Sequence, residues 1–260
     1  MLTMLKSDNE IEEVNLLIKF GTKENLEKLK KGEIYTNNLK YFIDLEETYG
    51  KIGIGDRDES ALLLNGVNFR FFEANTRKPV RPLKALLGID MGDFEFKASE
   101  TRVRVEEYTR KPVFCLLGIS KSDLEYVDKH LILSFDDNKI KYLEKEFGNY
   151  THALIIEAGE FIKRIIKVTK TRDIGLEFGY VKYYNPNINQ FERIRDFNTS
   201  RRAFWKKDYF KRQQEFRIIF DNILIDSGQI LINIGDISDI SAMCEINDLL
   251  SKDFELELNY

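Results

Sequence analysis

Apolar residues first cluster at Leu16, Leu17 and Ile18 within "NLLIKFGT", a short run that predicts a buried strand. In "KENLEKLKK" the spacing changes, and Leu26 and Leu29 fall on one face of a helix. Thr22 stands where a hydroxyl can cap that helix, and Gly32 where a left-handed residue ends it. "EIYT" resumes as a strand, so residues 15–36 read as strand, short helix, strand.

Glycines at 50, 53 and 55 and dense charge from Asp56 to Glu59 predict a mobile surface loop over 44–60. Between 62 and 110 the pattern suggests short antiparallel strands. "KPVFCLLGI" and "HALIIEA" read as buried strands, and "KSDLEYVD" and "NKIKYLEKEFG" as helices. "GEFIKRIIKVTK" fits helix or strand. "GYVKYYN" alternates like a strand, and "PNINQFERIRDF" reads as loop and turn. In "QQEFRIIF" Gln213, Glu215 and Arg217 alternate with Phe216, Ile218 and Phe220, which predicts a strand with one polar face. "SDISAMCEINDLLSK" reads as a helix capped by Ser238, and "FELELN" as a last strand. No βαβ series appears, so the class is α+β: one domain over 1–260, a mainly antiparallel split sheet with inserted helices.

A length of 260 residues with 43% hydrophobic and 32% charged residues allows a sizeable core. Cys115 and Cys244 sit in apolar surroundings and read as small buried hydrophobes of a reducing compartment. No apolar run approaches the ~18 residues of a membrane span, and the N-terminus lacks a secretory pattern, so the expected location is the cytoplasm, with no membrane partner. The net charge is −4, yet residues 191–217 hold nine Lys/Arg against four Asp/Glu, leaving +5 there and −9 elsewhere. That window is either a solvated face or a wall for phosphate.

Signatures of the common enzyme classes are missing. His130 and His152 are far apart and read as structural, so no metal site is expected. Asp93, Glu95 and Lys97 alternate in "GDFEFKAS", a weak match to a Mg²⁺-dependent nuclease. Gln213 and Glu215 offer a second possibility. A glutamate held on a cleft floor stabilises positive charge developing on a ribose carbon, and its neighbour two places back orients the acceptor.

These pieces resemble the ADP-ribosyltransferase superfamily. "QQEFRI" is similar to its glutamate-bearing strand, with Glu215 in the catalytic place and Gln213 in the orienting one. "KFGTKENLEKLKKGEIYT" has the layout of its opening strand, helix and strand, with Phe20, Gly21 and Thr22 where a His-Gly-Thr segment would fall. Lys19 is the nearest cation. The resemblance implies NAD as substrate, a nicotinamide amide held by the Gly21 backbone, and Tyr35 stacked near the nicotinamide ring. It also implies that Arg202, Lys206, Lys207 and Arg217 contact pyrophosphate or a nucleic-acid acceptor, with Trp205 or Tyr209 stacking a base. More broadly the chain resembles an uncharacterised family of bacterial and phage proteins, through "VFCLLGI", "FGNYTHALII", "GYVKYYN", "WKKDYFKRQQEFRI" and "INIGDISDI". The expected role is a toxin or anti-phage defence effector that modifies a nucleic acid or protein, with an antitoxin or defence-system partner. The alternative is a non-enzymatic interaction protein on an inactive version of the fold.

Overall fold

The computed structural model describes residues 14–49, 55–69, 71–72, 75–80, 96–127, 130–133, 135–251 and 254–257. Its main sheet is built from β1 (Val14–Gly21), β2 (Glu33–Asn38), β3 (Pro112–Ser120), β4 (His152–Glu157), β5 (Leu176–Tyr180), β6 (Glu215–Phe220), β7 (Ile230–Asn233) and β8 (Ser241–Glu245). The order is β5-β6-β3-β1-β4-β8, every pairing is antiparallel, and β2 joins β3 on one side and β7 on the other. The class is therefore mixed α+β with a mainly antiparallel sheet.

Helices α1 (Lys23–Lys30), α2 (Leu39–Tyr49), α3 (Asp137–Phe147) and α4 (Ala158–Thr171) surround it. Thr22 caps α1 as its position suggests, its hydroxyl accepting from the Asn25 amide. Gly32 follows at φ 88°, where an added Cβ would strike the Gly235 carbonyl. In α4, Phe161, Ile162 and Ile165 recur at helical spacing and pack with Leu17, Leu154, Ile156, Phe216 and Ile218 on one sheet face. On the other face Ile18, Phe20, Leu117, Ile119 and Ile155 meet Leu143 of α3. Each such side chain contributes roughly 1.5–3 kcal/mol by leaving water. Burial of both faces explains why β1 and β4 read as continuous apolar runs and not as alternating strands.

Four local expectations are corrected. The loop expected over 44–60 is helical through Tyr49, and Asp56, Asp58, Glu59 and Ser60 are buried. "KSDLEYVD" forms a single 3₁₀ turn, Lys121–Asp123, and then a strand, Leu124–Val127. "SDISAMCEINDLLSK" divides into a 3₁₀ turn, strand β8 and a short helix, Ile246–Leu249, because edge pairing with β4 wins over local propensity. "PNINQFERIRDF" includes a helical segment, Phe191–Asp196. The ambiguous "GEFIKRIIKVTK" is α4.

The sheet is split. On one edge β3 pairs with β6 from Val113 to Leu117. On the opposite edge β1 pairs with Leu117–Ser120 and β2 with Pro112–Val113, so residues 114–116 have no strand beside them there. β1 and β2 part at this point, joined only through α1, and a pocket opens between them.

Candidate functional site

The pocket encloses about 220 Å³. Its walls come from Ile18, Lys19 and Phe20 of β1, Tyr35 and Asn37 of β2, Tyr41 and Phe42 of α2, and the middle of β3. Phe147 and Tyr150 add to the walls, and Lys206, Gln213, Glu215 and Arg217 line the floor. Period-two alternation directs Tyr35 and Asn37 here while Ile34 and Thr36 are buried. Tyr35 is 58% exposed and Tyr41 43%, so the mouth is aromatic.

Lys19 lies on the face of β1 opposite Ile18 and Phe20 and reaches into the gap. Its Nζ donates to the Cys115 carbonyl at 2.7 Å and lies 4.6 Å from the Phe114 ring centroid. Burial lowers its pKa, opposed by nearby Cys115 and Glu215. Phe20 stacks on Phe147 with centroids 4.5 Å apart, an apolar wall where the resemblance would place a histidine. Burial also raises the Cys115 thiol above its ordinary value, so it is no ready nucleophile.

The polar side of β6 is not wet. All six residues from Glu215 to Phe220 are buried. Glu215 Oε2 accepts from Lys206 Nζ at 2.8 Å, and its Oε1 accepts from Arg217 Nε. Arg217 in turn makes a two-pronged pair with Glu59, at 2.6 and 2.9 Å, and donates to the Ala203 carbonyl. Burial alone would raise the Glu215 carboxyl. The charges of Arg217 and Lys206, with the hydrogen bonds they donate, outweigh it and hold the group well below the usual carboxylate range. Burial likewise opposes the charge of Lys206, yet Glu215 holds that ammonium above the usual lysine value.

Gln213 does not share a strand with Glu215, as its spacing suggested. It ends a 3₁₀ helix, Asp208–Gln213, and Gln214 then turns the chain at φ 42° before β6 begins. The turn is clamped: Gly118 donates to the Gln214 carbonyl at 2.9 Å, and Lys139 Nζ donates to the Gln214 side chain. The result still brings both groups together, because Gln213 Oε1 accepts from the same Lys206 Nζ at 2.8 Å. The Tyr183 hydroxyl accepts from the Glu215 amide at 2.9 Å and fixes the start of the strand.

Other expected contacts are relocated. Gly21 faces Leu26, whose side-chain carbons would lie 3.2–3.3 Å from an added Cβ, and Thr22 is occupied as a cap; neither lines the pocket. Arg202 is buried with its guanidinium 4.0 Å from the Tyr108 ring centroid and 3.8 Å from that of Phe197. Lys207 pairs with Asp58. Trp205 is buried, its indole N–H donating to Asp196 at 3.1 Å, whereas Tyr209 is 56% exposed. The basic window divides: Arg193, Arg202, Lys206 and Arg217 are inside, Arg201 and Lys207 are half-buried, and Arg195, Lys211 and Arg212 are exposed. Asp93 and Glu95 lie outside the described residues, among which no acidic, His or Cys group suits a metal.

Glu59 is the residue that sequence reading missed. Its signal was present: "DRDES" is acidic enough to answer the basic window, but density of charge alone pointed outward. No helix among the described residues is long and apolar enough to cross a membrane. Comparison with protein-family models, with curated proteins and with solved structures gave no match.

Proposed function

We propose that the split in the sheet binds NAD and that the protein is an ADP-ribosyltransferase-like effector. One observation supports this reading: Lys19, Phe20, Tyr35, Gln213 and Glu215, drawn from distant stretches of chain, line a single pocket. Glu215, kept anionic by its neighbours, is the group to face positive charge developing on the ribose carbon. Gln213 is set to orient an acceptor, Tyr35 to stack on the nicotinamide, and Lys19 to attract the pyrophosphate. At about 220 Å³ the pocket is smaller than the ~300–1,000 Å³ typical of drug-sized ligands, so it suits the nicotinamide-ribose end with the remainder across the mouth. The acceptor is a nucleic acid or protein, and the setting a cytoplasmic toxin or anti-phage effector with a cognate antitoxin.

The test is nicotinamide release from NAD, with and without cell extract, by wild type and Glu215→Gln. Release by the wild type and its loss in the variant are expected. Release that survives Glu215→Gln refutes the site. One observation favours a second, non-enzymatic reading: both Glu215 oxygens are already engaged by cations. That reading expects binding of a ligand or partner with no nicotinamide released by either protein.

A further inference from the structure

Resting on the pocket as a ligand site, the arrangement of its floor leads further. We propose that Lys206 is a displaceable internal counter-ion, which closes the Glu215 subsite against cationic groups until an incoming ligand drives its ammonium out.

A single nitrogen engages both Gln213 Oε1 and Glu215 Oε2, each at 2.8 Å. The remaining carboxylate oxygen is held by Arg217. A ligand cation in contact with Glu215 would thus lie within about 4 Å of the Lys206 ammonium. Like charges at that distance repel by an amount equal to between several-fold and several-hundred-fold in affinity, depending on the local dielectric. One of the two resident cations must yield. Arg217 is fixed by the Glu59 fork and the Ala203 carbonyl and is 1% exposed. Lys206 has a flexible four-carbon stem and a point charge, and it borders the pocket.

A second acid stands by to receive it. Asp56 is buried and has no ion pair among the described residues. Its segment is tied to the same floor, through Asp58 to Lys207 and through Glu59 to Arg217. Asp56 also lies close enough to feel the Lys206 charge. Asp56 is thus the carboxylate that the proposal assigns to receive the displaced ammonium, leaving the Glu215 subsite open.

The experiment is calorimetric titration of the full chain and of Lys206→Met with the N-methylnicotinamide cation and with neutral nicotinamide. Lys206→Met is expected to bind the cation roughly tenfold or more tightly than wild type, as removal of one nearby like charge requires, with far less change for the neutral amide. In the wild type, a proton–nitrogen correlation spectrum should show the Lys206 ammonium losing its protection from exchange as the cation saturates. Equal cation affinity in the two proteins, binding to neither, or an ammonium still protected in the cation-bound wild type overturns the inference. If Lys206→Met does not fold, the wild-type spectrum decides. A gain in cation affinity without nicotinamide release from NAD by either protein upholds the counter-ion and removes the transferase reading, so the two failures are distinguishable.

Discussion

Glu59→Gln is the most direct probe of the buried charge beneath the pocket. Lys206, Glu215, Arg217 and Glu59 sum to zero, and all four are at least nine-tenths buried. The substitution keeps the side-chain volume but leaves a net buried positive charge, and it turns an amide N–H toward a guanidinium that can only donate. Breaking a buried pair in this way costs about 3–5 kcal/mol. For a chain of this size that corresponds to a fall in Tm on the order of 10 °C. Urea unfolding at neutral pH, followed by circular dichroism, measures the free energy, and calorimetry the Tm. The double variant Glu59→Gln/Arg217→Met restores neutrality, leaving the Lys206–Glu215 pair, and should recover much of the loss. A cycle of the four proteins would then report coupling of roughly 2 kcal/mol or more. A Glu59→Gln protein within about 1 kcal/mol of wild type, or simple additivity in the double variant, would show that Arg217 is not held from within.

Two further substitutions test neighbouring ground. Burial first, and then Glu59, raise the Asp56 carboxyl to about 7 from 3.8. The folded state thus binds that proton more tightly than the unfolded one, and stability falls as pH climbs from about 4 to about 7. Asp56→Asn should remove up to about 4 kcal/mol of that penalty at pH 8 and little at pH 4, while its amide oxygen keeps the Asp58 N–H bond of 2.9 Å. Urea midpoints at the two pH values decide it, and an equal effect at both would refute the assignment. At Gly118 an added Cβ would lie 2.4 Å from a Tyr180 ring carbon. Gly118→Ala should destabilise by about 1–3 kcal/mol, and Gly118→Ala/Tyr180→Ala should be less than additive; strict additivity would mean that the ring does not cover this glycine.

Much of the frame was legible because local chemistry and tertiary packing agree there. Thr22, the Leu26 and Leu29 spacing and Gly32 each specify the same short helix, and the strands on either side needed only their apolar runs. Disagreement begins where pairing partners decide. Ser241–Glu245 carries a helix-like pattern but lies beside β4, whose open edge makes a strand the better outcome. The floor of the pocket was half legible for a related reason. Period-two spacing joined Gln213 to Glu215, and the two do meet, but through a left-handed Gln214 and a shared lysine instead of a continuous strand. What sequence periodicity could not encode is the sign of burial for a charged face. Arg217 looks outward in any one-dimensional reading, because the carboxylate that makes its burial tolerable stands 158 residues away. A charged strand face is thus readable as interior only when its counter-ions are sought elsewhere in the chain. Here Asp58 and Glu59 of "DRDES" meet Lys207 and Arg217 of the basic window, and Lys206 bonds both Gln213 and Glu215 at the pocket floor.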